Sequence, residues 1–445
     1  MILTLKRYFN KNLLIKSGSI FLAYKIIAMI IGYILVWIIA RYFGASAQGI
    51  FSLLITIVGI VVILGKLGIE VTILKHVATL KTNNHFSEIK NFFTQAIRLS
   101  FVSSLILSLI LFFCADLIAV YLLHKPFMGF YIKIGALVIF PIVLLQLNAE
   151  FARAFGKIGQ YSFLNLFVSF FSVIILAYFV LQTDIRNEST PVIVQIIANL
   201  LMCIFSIFLI IKLIPWKKTT IASIWSMKKI LKISFPMMHV GLLIMMLEWL
   251  DILLLGALVD EKKIGIYSIV VRIATLNGLS LLAVSSILIP KISELFHASM
   301  YIELQRMIRK SAVIISLTTL PVMVSVIIFS EPLLAFFGEE FTEGVSTFIV
   351  LCLAYAINAI LGPVDQFLLM TGGEKFNRQI SFYILIIFLI SGYYLITIYG
   401  IFGIAIAKGI TMLLKKFIFS IYIYRKHKLV FLYSPFIRKS LIGKE

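Results

Sequence analysis

Charge is scarce in this chain. Only 13% of its 445 residues are Asp, Glu, Lys or Arg, against roughly 25% in a soluble domain, and the 19 acidic residues are outnumbered by 40 basic ones. No soluble core could hide hydrophobic side chains that make up 61% of the sequence. Cysteine is nearly missing as well. Cys114, Cys203 and Cys352 lie in apolar stretches without ligand spacing, which excludes a disulfide framework and a thiolate metal site. There is no Gly-x-x-x-x-Gly-Lys-Ser/Thr loop to cradle a nucleotide phosphate. The longest connectors between apolar runs, 72–97 and 290–310, fall below the roughly 50 residues a domain needs. That leaves no room for a soluble catalytic domain, and the chain reads as a non-enzyme without a cofactor.

Long apolar runs are what the chain does have. A helix needs about 20 such residues to cross a hydrocarbon core of ~30 Å, and helix is required because lipid cannot satisfy backbone polar groups. The runs predict an all-α integral membrane protein with twelve transmembrane helices at 18–40, 48–71, 98–122, 129–149, 161–182, 191–214, 235–257, 264–289, 311–330, 344–371, 379–399 and 402–424. Lys and Arg in short loops stay on the cytoplasmic side. They crowd every second connector: Lys6, Arg7, Lys11 and Lys16, then Lys75, Lys81 and Lys90, Arg153 and Lys157, the 212–232 stretch, Lys291 to Lys310, Lys375 and Arg378, and the tail from Arg425. The opposite side holds Arg41, Lys125, Arg186, Lys262 and Lys263, with an acidic loop of Glu331, Glu339, Glu340 and Glu343. Both termini are therefore expected in the cytoplasm. The net charge of +21 is accounted for by this topology and by anionic lipid headgroups, with no nucleic-acid partner.

The most basic connector divides the chain into two groups of six segments, and the second echoes the first. Gly49-Ile50-Phe51-Ser52 recurs as Gly265-Ile266-Tyr267-Ser268, and Lys16 matches Lys232 at the same offset. Ala154-Phe155-Gly156-Lys157 before Ser162-Phe163 parallels Gly372-Gly373-Glu374-Lys375 before Ser381-Phe382. The expected organisation is an N-terminal lobe at 1–214, an amphipathic cytoplasmic linker at 215–232 carrying Trp216, Ile221, Ile224 and Trp225 among lysines, and a C-terminal lobe at 233–445. Six is even, so the lobes form a parallel repeat about an axis along the membrane normal. Transporters of that design place substrate between the lobes and rock one against the other.

The stretch Ala40-Arg41-Tyr42-Phe43-Gly44 followed by Gln48-Gly49-Ile50-Phe51 resembles the signature that opens oligosaccharide (Wzx-type) flippases of the multidrug/oligosaccharidyl-lipid/polysaccharide exporter superfamily. Asp251 before Leu255-Gly256, Ile289-Pro290-Lys291, Glu331-Pro332-Leu333-Leu334 and Gly362-Pro363 agree with it. The resemblance implies a bilobed flippase in the bacterial inner membrane. Its substrate would be undecaprenyl-pyrophosphate-linked oligosaccharide for O-antigen, capsule or related surface glycans, with polymerase and assembly proteins as partners. A cation-coupled multidrug exporter and a lipid II flippase of the same superfamily are the alternatives.

Ionisable groups inside a bilayer are expensive and face a bundle interior or water. Lys25 and Arg272 are the candidates to bind the pyrophosphate, since the resemblance puts their helices on the cleft; the bland alternative is pairing with a nearby carboxylate, or a Lys25 that snorkels. Glu248 and Asp251 stand three apart, on one helix face. Two like charges in low dielectric do not both ionise comfortably, which suits coupling to a proton or sodium gradient; a salt bridge to Lys25 or Arg272 is the competing reading. Lys66 with Glu70, Asn148, Glu150 and Arg153, and Asp365 beside Gln366 are candidate gating contacts. Adjacent Lys415 and Lys416 are expected to point to different faces and not into one groove; with Lys408 they mark either the true cytoplasmic end of the last span or a side portal for the lipid tail. Pro141, Pro321 and Pro363 mark expected kinks.

Overall fold

The structure, a computed structural model, describes residues 24–83, 85–182, 187–213 and 225–431. The lysines and arginines before residue 24, Arg186, most of the 215–232 linker and the tail from 432 lie outside the described residues. Every regular element among the described residues is helical. Contacts divide the chain into two compact units, Met1–Met245 and Met246–Glu445.

In the first unit, α1 (residues 24–38) runs through a π turn, Ile39–Phe43, into α2 (Gly44–Lys66). Next come α3 (Ile69–Thr82), α4 (Phe86–Leu117), α5 (Met128–Leu137), α6 (Ile139–Ala154), α7 (Ile158–Gln182) and α8 (Thr190–Leu213). Small and hydroxylic residues let these helices approach, as is usual in lipid. Ser103 Oγ donates to the Gly65 carbonyl at 2.6 Å and Ser108 Oγ to that of Ala136 at 2.6 Å. The bend of 44° between α5 and α6 has a plain cause. Pro141 has no N–H to bond the Leu137 carbonyl, so α5 stops there and Pro141 sits in the first turn of α6. The segment expected at 48–71 also breaks: Leu67 and Gly68 both have positive φ, 52° and 73°, and α3 starts afresh.

Helix α9 (Met227–Leu258) contains the division between the units. Residues 227–232, expected in the linker, belong to it. Just ahead, Trp225 is buried, with its backbone N–H on Asn91 Oδ1 at 2.9 Å and its ring edge-on to Phe92 and His76.

The second unit continues with α10 (Glu261–Ala274), a 3₁₀ turn at Thr275–Gly278, α11 (Leu279–His297), α12 (Tyr301–Ile328), the short α13 (Ser330–Ala335), α14 (Val345–Ile360), α15 (Val364–Met370) and α16 (Glu374–His427). Pro321 stays within a continuous α12. Leu361 to Pro363 interrupts the stretch expected as one span, 344–371, so α15 is a separate short helix. It is held by a core of Leu288, Ile292, Leu304, Ile308, Val364, Phe367, Leu368, Phe419 and Ile423. That core packs α15 against α11, α12 and α16 and so fixes where Asp365, in its first turn, points.

Nine helices among the described residues are long and apolar enough to cross a bilayer, ten when α5 and α6 count as one bent span. The sequence pattern expects twelve. The difference lies in Tyr24–Lys66 and α16, each of which takes in two expected segments. At 1.5 Å per residue the 54 residues of α16 would reach about 80 Å as a straight rod, far beyond a ~30 Å core. It is not straight: Gly400 (φ 58°, ψ −133°) is non-helical, and a Cβ on Gly403 would collide with the Leu395 backbone. The two arms of α16 turn back on each other there. Gly44 (φ 85°, ψ 175°) marks the corresponding irregularity between α1 and α2.

Candidate functional site: a lysine-lined cavity in the second unit

Lys408, Thr411 and Lys415 stand three and four residues apart on the second arm of α16, so they share one helix face. They line a cavity of about 550 Å³, together with Glu248 of α9, Val271 and Thr275 beside the 3₁₀ turn, Tyr355 and Asn358 of α14, Asp365 and Gln366 of α15, and Lys416.

At one edge of it is a buried ion pair. Lys408 Nζ lies 2.5 Å from Asp251 Oδ2 and also donates to the Glu248 carbonyl at 3.1 Å. Tyr267 Oη donates to the same Asp251 oxygen at 2.8 Å, and the Ile252 N–H to the other at 3.0 Å. Asp251 is 1% exposed and Tyr267 fully buried. Every strong partner Asp251 has is thus internal to the protein. At the other edge, Lys415 Nζ is 3.0 Å from Asp365 Oδ1 and Lys416 Nζ 2.7 Å from Oδ2, with Lys416 also donating to the Gly362 carbonyl at 2.8 Å. The expectation that adjacent Lys415 and Lys416 diverge is corrected. Their Cα–Cβ bonds do point apart, but four methylenes carry both ammonium groups to one carboxylate.

Glu248 differs from its neighbour three residues on. Its side chain opens to the cavity and makes no ion pair among the described residues. Of the residues expected to bind pyrophosphate, Lys25 is exposed on α1 in the first unit and Arg272 half-buried on α10 in the second. Asp251 takes Lys408 as its ion-pair partner, and the cavity wall takes Val271 and Thr275 from the Arg272 region.

The remaining candidates gather in the first unit. Lys66 and Glu70 pair at 3.3 Å across the Leu67–Gly68 break rather than along one helix. Arg153 reaches Glu150 at 3.5 Å and lies 5.2 Å from the Tyr161 ring centre, and the charges of Lys66 and Glu70 act on Glu150. Asn148 is buried and donates to Ser206 of α8 at 3.0 Å. Tyr267, Tyr355 and Asn358 are the site residues that sequence reasoning missed, while Lys408, Lys415 and Lys416 stand out in the sequence without being placed in a site. The spacing of 408, 411 and 415 within an apolar run was the signal for the lysine face; nothing in the pattern marked the other three.

A family model described as "Polysaccharide biosynthesis protein" matches residues 38–346. The chain belongs to this family. The matched stretch carries α2 to α13, including Glu248, Asp251 and Tyr267, and ends before the arm that bears Lys408, Lys415 and Lys416. A curated relative, the probable low-salt glycan biosynthesis flippase Agl15 of Haloferax volcanii, is 24% identical over 170 residues. That match spans 37% of this chain and 35% of the relative, about a third of its length. Among solved structures, an inward-facing multidrug resistance MATE family transporter of the MOP superfamily superposes with a TM-score of 0.74 at 13% identity, covering 88% of this chain and 93% of that one. The lipid II flippase MurJ in an inward closed conformation gives 0.69 at 20% identity, covering 91% and 87%. The fold is shared with both. The MOP superfamily, to which the first of these structures belongs, is the one whose signature Arg41–Gly44 resembles.

Proposed function

We propose that this protein flips a lipid-linked oligosaccharide, carried on undecaprenyl pyrophosphate, from the cytoplasmic to the outer leaflet of the bacterial inner membrane by alternating access. The observation that carries this reading is membership of a polysaccharide biosynthesis family in a chain of membrane-spanning helices that keeps a lysine-lined cavity within one unit. A diphosphate headgroup cannot cross hydrocarbon bare, and fixed cations replace its hydration and counter-ions. Counting Tyr24–Lys66 and α16 as two crossings each brings the spans to twelve, in lobes at 1–214 and 233–445 with both termini cytoplasmic. The glycan would feed O-antigen, capsule or a related surface polymer, alongside polymerase and assembly proteins.

Lys25 and Arg272 are proposed to hold the pyrophosphate. Lys66, Glu70, Asn148, Glu150, Arg153 and Asp365 are proposed as contacts that form and break as the lobes rock. Coupling to a proton or sodium gradient is assigned to Glu248, since Asp251 already has an internal cation in Lys408. The shared fold equally suits the multidrug exporter and lipid II flippase readings. A null strain complemented with Lys25→Ala or Arg272→Ala tests the binding residues: surface glycan should fall while protein levels hold, and normal glycan from both variants overturns the assignment. Reconstituted vesicles given lipid-linked oligosaccharide, lipid II or a cationic dye discriminate the cargo. Imposed proton or sodium gradients should alter transport by the wild type and not by Glu248→Gln.

A further inference from the structure

We propose that Lys415 and Lys416 form a binding site for a phosphate or diphosphate group, and that the Asp365 carboxylate is its intramolecular occupant, displaced when the ligand arrives. The inference rests on the lipid-linked substrate reading and adds to it a site in the second unit, separate from Lys25 and Arg272.

Two ammonium groups converge on one carboxylate, each taking a different oxygen. The arrangement is that of two point charges around an oxyanion, with one positive charge that Asp365 does not meet and that only Glu248, elsewhere on the wall, is left to offset. Ionisable groups in a membrane-embedded helix are costly and mark functional positions. Lysines are common ligands of phosphate as point charges, and a phosphate with two negative charges balances the pair where Asp365 cannot. The nearby charges are otherwise spoken for: Asp251 neutralises Lys408, which leaves Glu248 as the other carboxylate on the wall. There is room for an arriving group, since both lysines border a cavity of about 550 Å³, within the ~300–1,000 Å³ usual for ligand pockets. Gln366 adds a polar group on the same wall, and its Oε1 is buried without a hydrogen bond, a ready acceptor for a hydroxyl of the sugar next to a diphosphate. The carboxylate is also able to leave. Asp365 borders the cavity, so a change of its own side-chain rotamer, with the α15 backbone held in its core, frees both lysines.

The test uses the purified full-length protein in detergent micelles, with inorganic pyrophosphate and undecaprenyl diphosphate as probes, read by thermal unfolding and by direct binding. A ligand that binds the folded state raises the unfolding temperature in proportion to its affinity. Lys415→Gln and Lys416→Gln should each weaken binding at least tenfold. Asp365→Asn should tighten it several-fold, because the competitor is gone; a merely structural Asp365 would give the opposite sign. Stabilisation by both probes means a site open to any diphosphate, and stabilisation by the lipid alone means one built for the headgroup. The proposal is overturned if neither probe stabilises the wild type, if the lysine variants bind as the wild type does, or if Asp365→Asn binds no more tightly. Should Asp365→Asn fail to fold, the wild type against Lys416→Gln decides. Vesicle transport by the same variants separates this site from the wider reading: transport intact in both lysine variants sinks the site alone, and a wild type that moves no lipid-linked oligosaccharide sinks the reading.

Discussion

Asp251 is a carboxylate that an apolar environment tolerates because three donors surround it, Lys408, Tyr267 and the Ile252 N–H. Taking such a pair out of water costs several kcal/mol per ion, and removing one partner leaves the other charge uncompensated, typically at about 3–5 kcal/mol. Lys408→Met should destabilise the detergent-solubilised protein by about that much, and Tyr267→Phe by about 1.5–3 kcal/mol for a hydrogen bond to a charged group. Asp251→Asn combined with Lys408→Met should recover most of the loss, and denaturant titration of the four proteins in the cycle measures it. The three-residue spacing of Glu248 and Asp251 is legible in the sequence. Their unlike fates are not, because Lys408 is 157 positions away and hydrophobic pattern does not say which helices become neighbours. His76 offers a pH handle outside the spans. Burial first, then the charges of Lys75 and Lys229, hold its imidazole below the ordinary 6.5. The folded state therefore prefers it neutral: stability from this group is complete above pH 6.5 and declines as pH falls from there through the lowered value. The unfolding temperature of wild type should drop over that window relative to His76→Gln, and identical pH profiles would refute the assignment.

At the scale of elements, glycine decides how α16 crosses the membrane. Hydropathy reads 379–399 and 402–424 as two segments, and the structure carries them as arms joined at Gly400. An L-residue at φ 58° with ψ −133° is strained, and Gly403 leaves no space for a Cβ beside the Leu395 backbone. Gly400→Val and Gly403→Val should both lower the unfolding temperature and the folded yield. Gly241→Ala in α9, where nothing lies within 4 Å, should be neutral or slightly stabilising, since glycine costs a helix about 1 kcal/mol relative to alanine. Size-exclusion profiles and thermal melts of the three variants check the contrast. The same kind of break explains why the Lys415–Lys416 arrangement was hidden. Taken as one span, 344–371 places Asp365 deep in a continuous helix. The interruption at Leu361–Pro363 instead sets it on a separate short helix, where two flexible lysine stems reach it. Pro141 was legible as a helix breaker because a missing N–H acts locally, whereas Leu67 adopts its left-handed φ without any composition signal.

For the whole molecule, the orientation of the chain rests on where its cations fall, and one broken span gives a clean measure of it. From Lys262 to Glu294 the chain runs through α10, the 3₁₀ turn and most of α11, which pass together as a single membrane-crossing stretch. Thirty-odd residues at 1.5 Å each extend close to 50 Å, enough to carry the two residues to opposite sides of a ~30 Å hydrocarbon core. The orientation proposed from lysine bias has Lys262 outside and the 290–310 connector inside. At the Lys262 end the cations are tied to carboxylates, Lys262 to Glu343 at 2.6 Å and Lys263 to Asp260 at 3.2 Å, and Asp260 caps α10 by accepting the Lys263 N–H at 2.8 Å. An end so compensated retains little free positive charge, as the proposed outer position of Lys262 requires. In a background with Cys114, Cys203 and Cys352 replaced by alanine, a cysteine at position 262 should react with a membrane-impermeant maleimide on intact spheroplasts. A cysteine at position 294 should react only after permeabilisation. Labelling of both in intact spheroplasts would mean this stretch does not cross. The reverse pattern would invert the chain in the membrane, turning the Lys291 to Lys310 cluster outward against the charge bias that sets its topology.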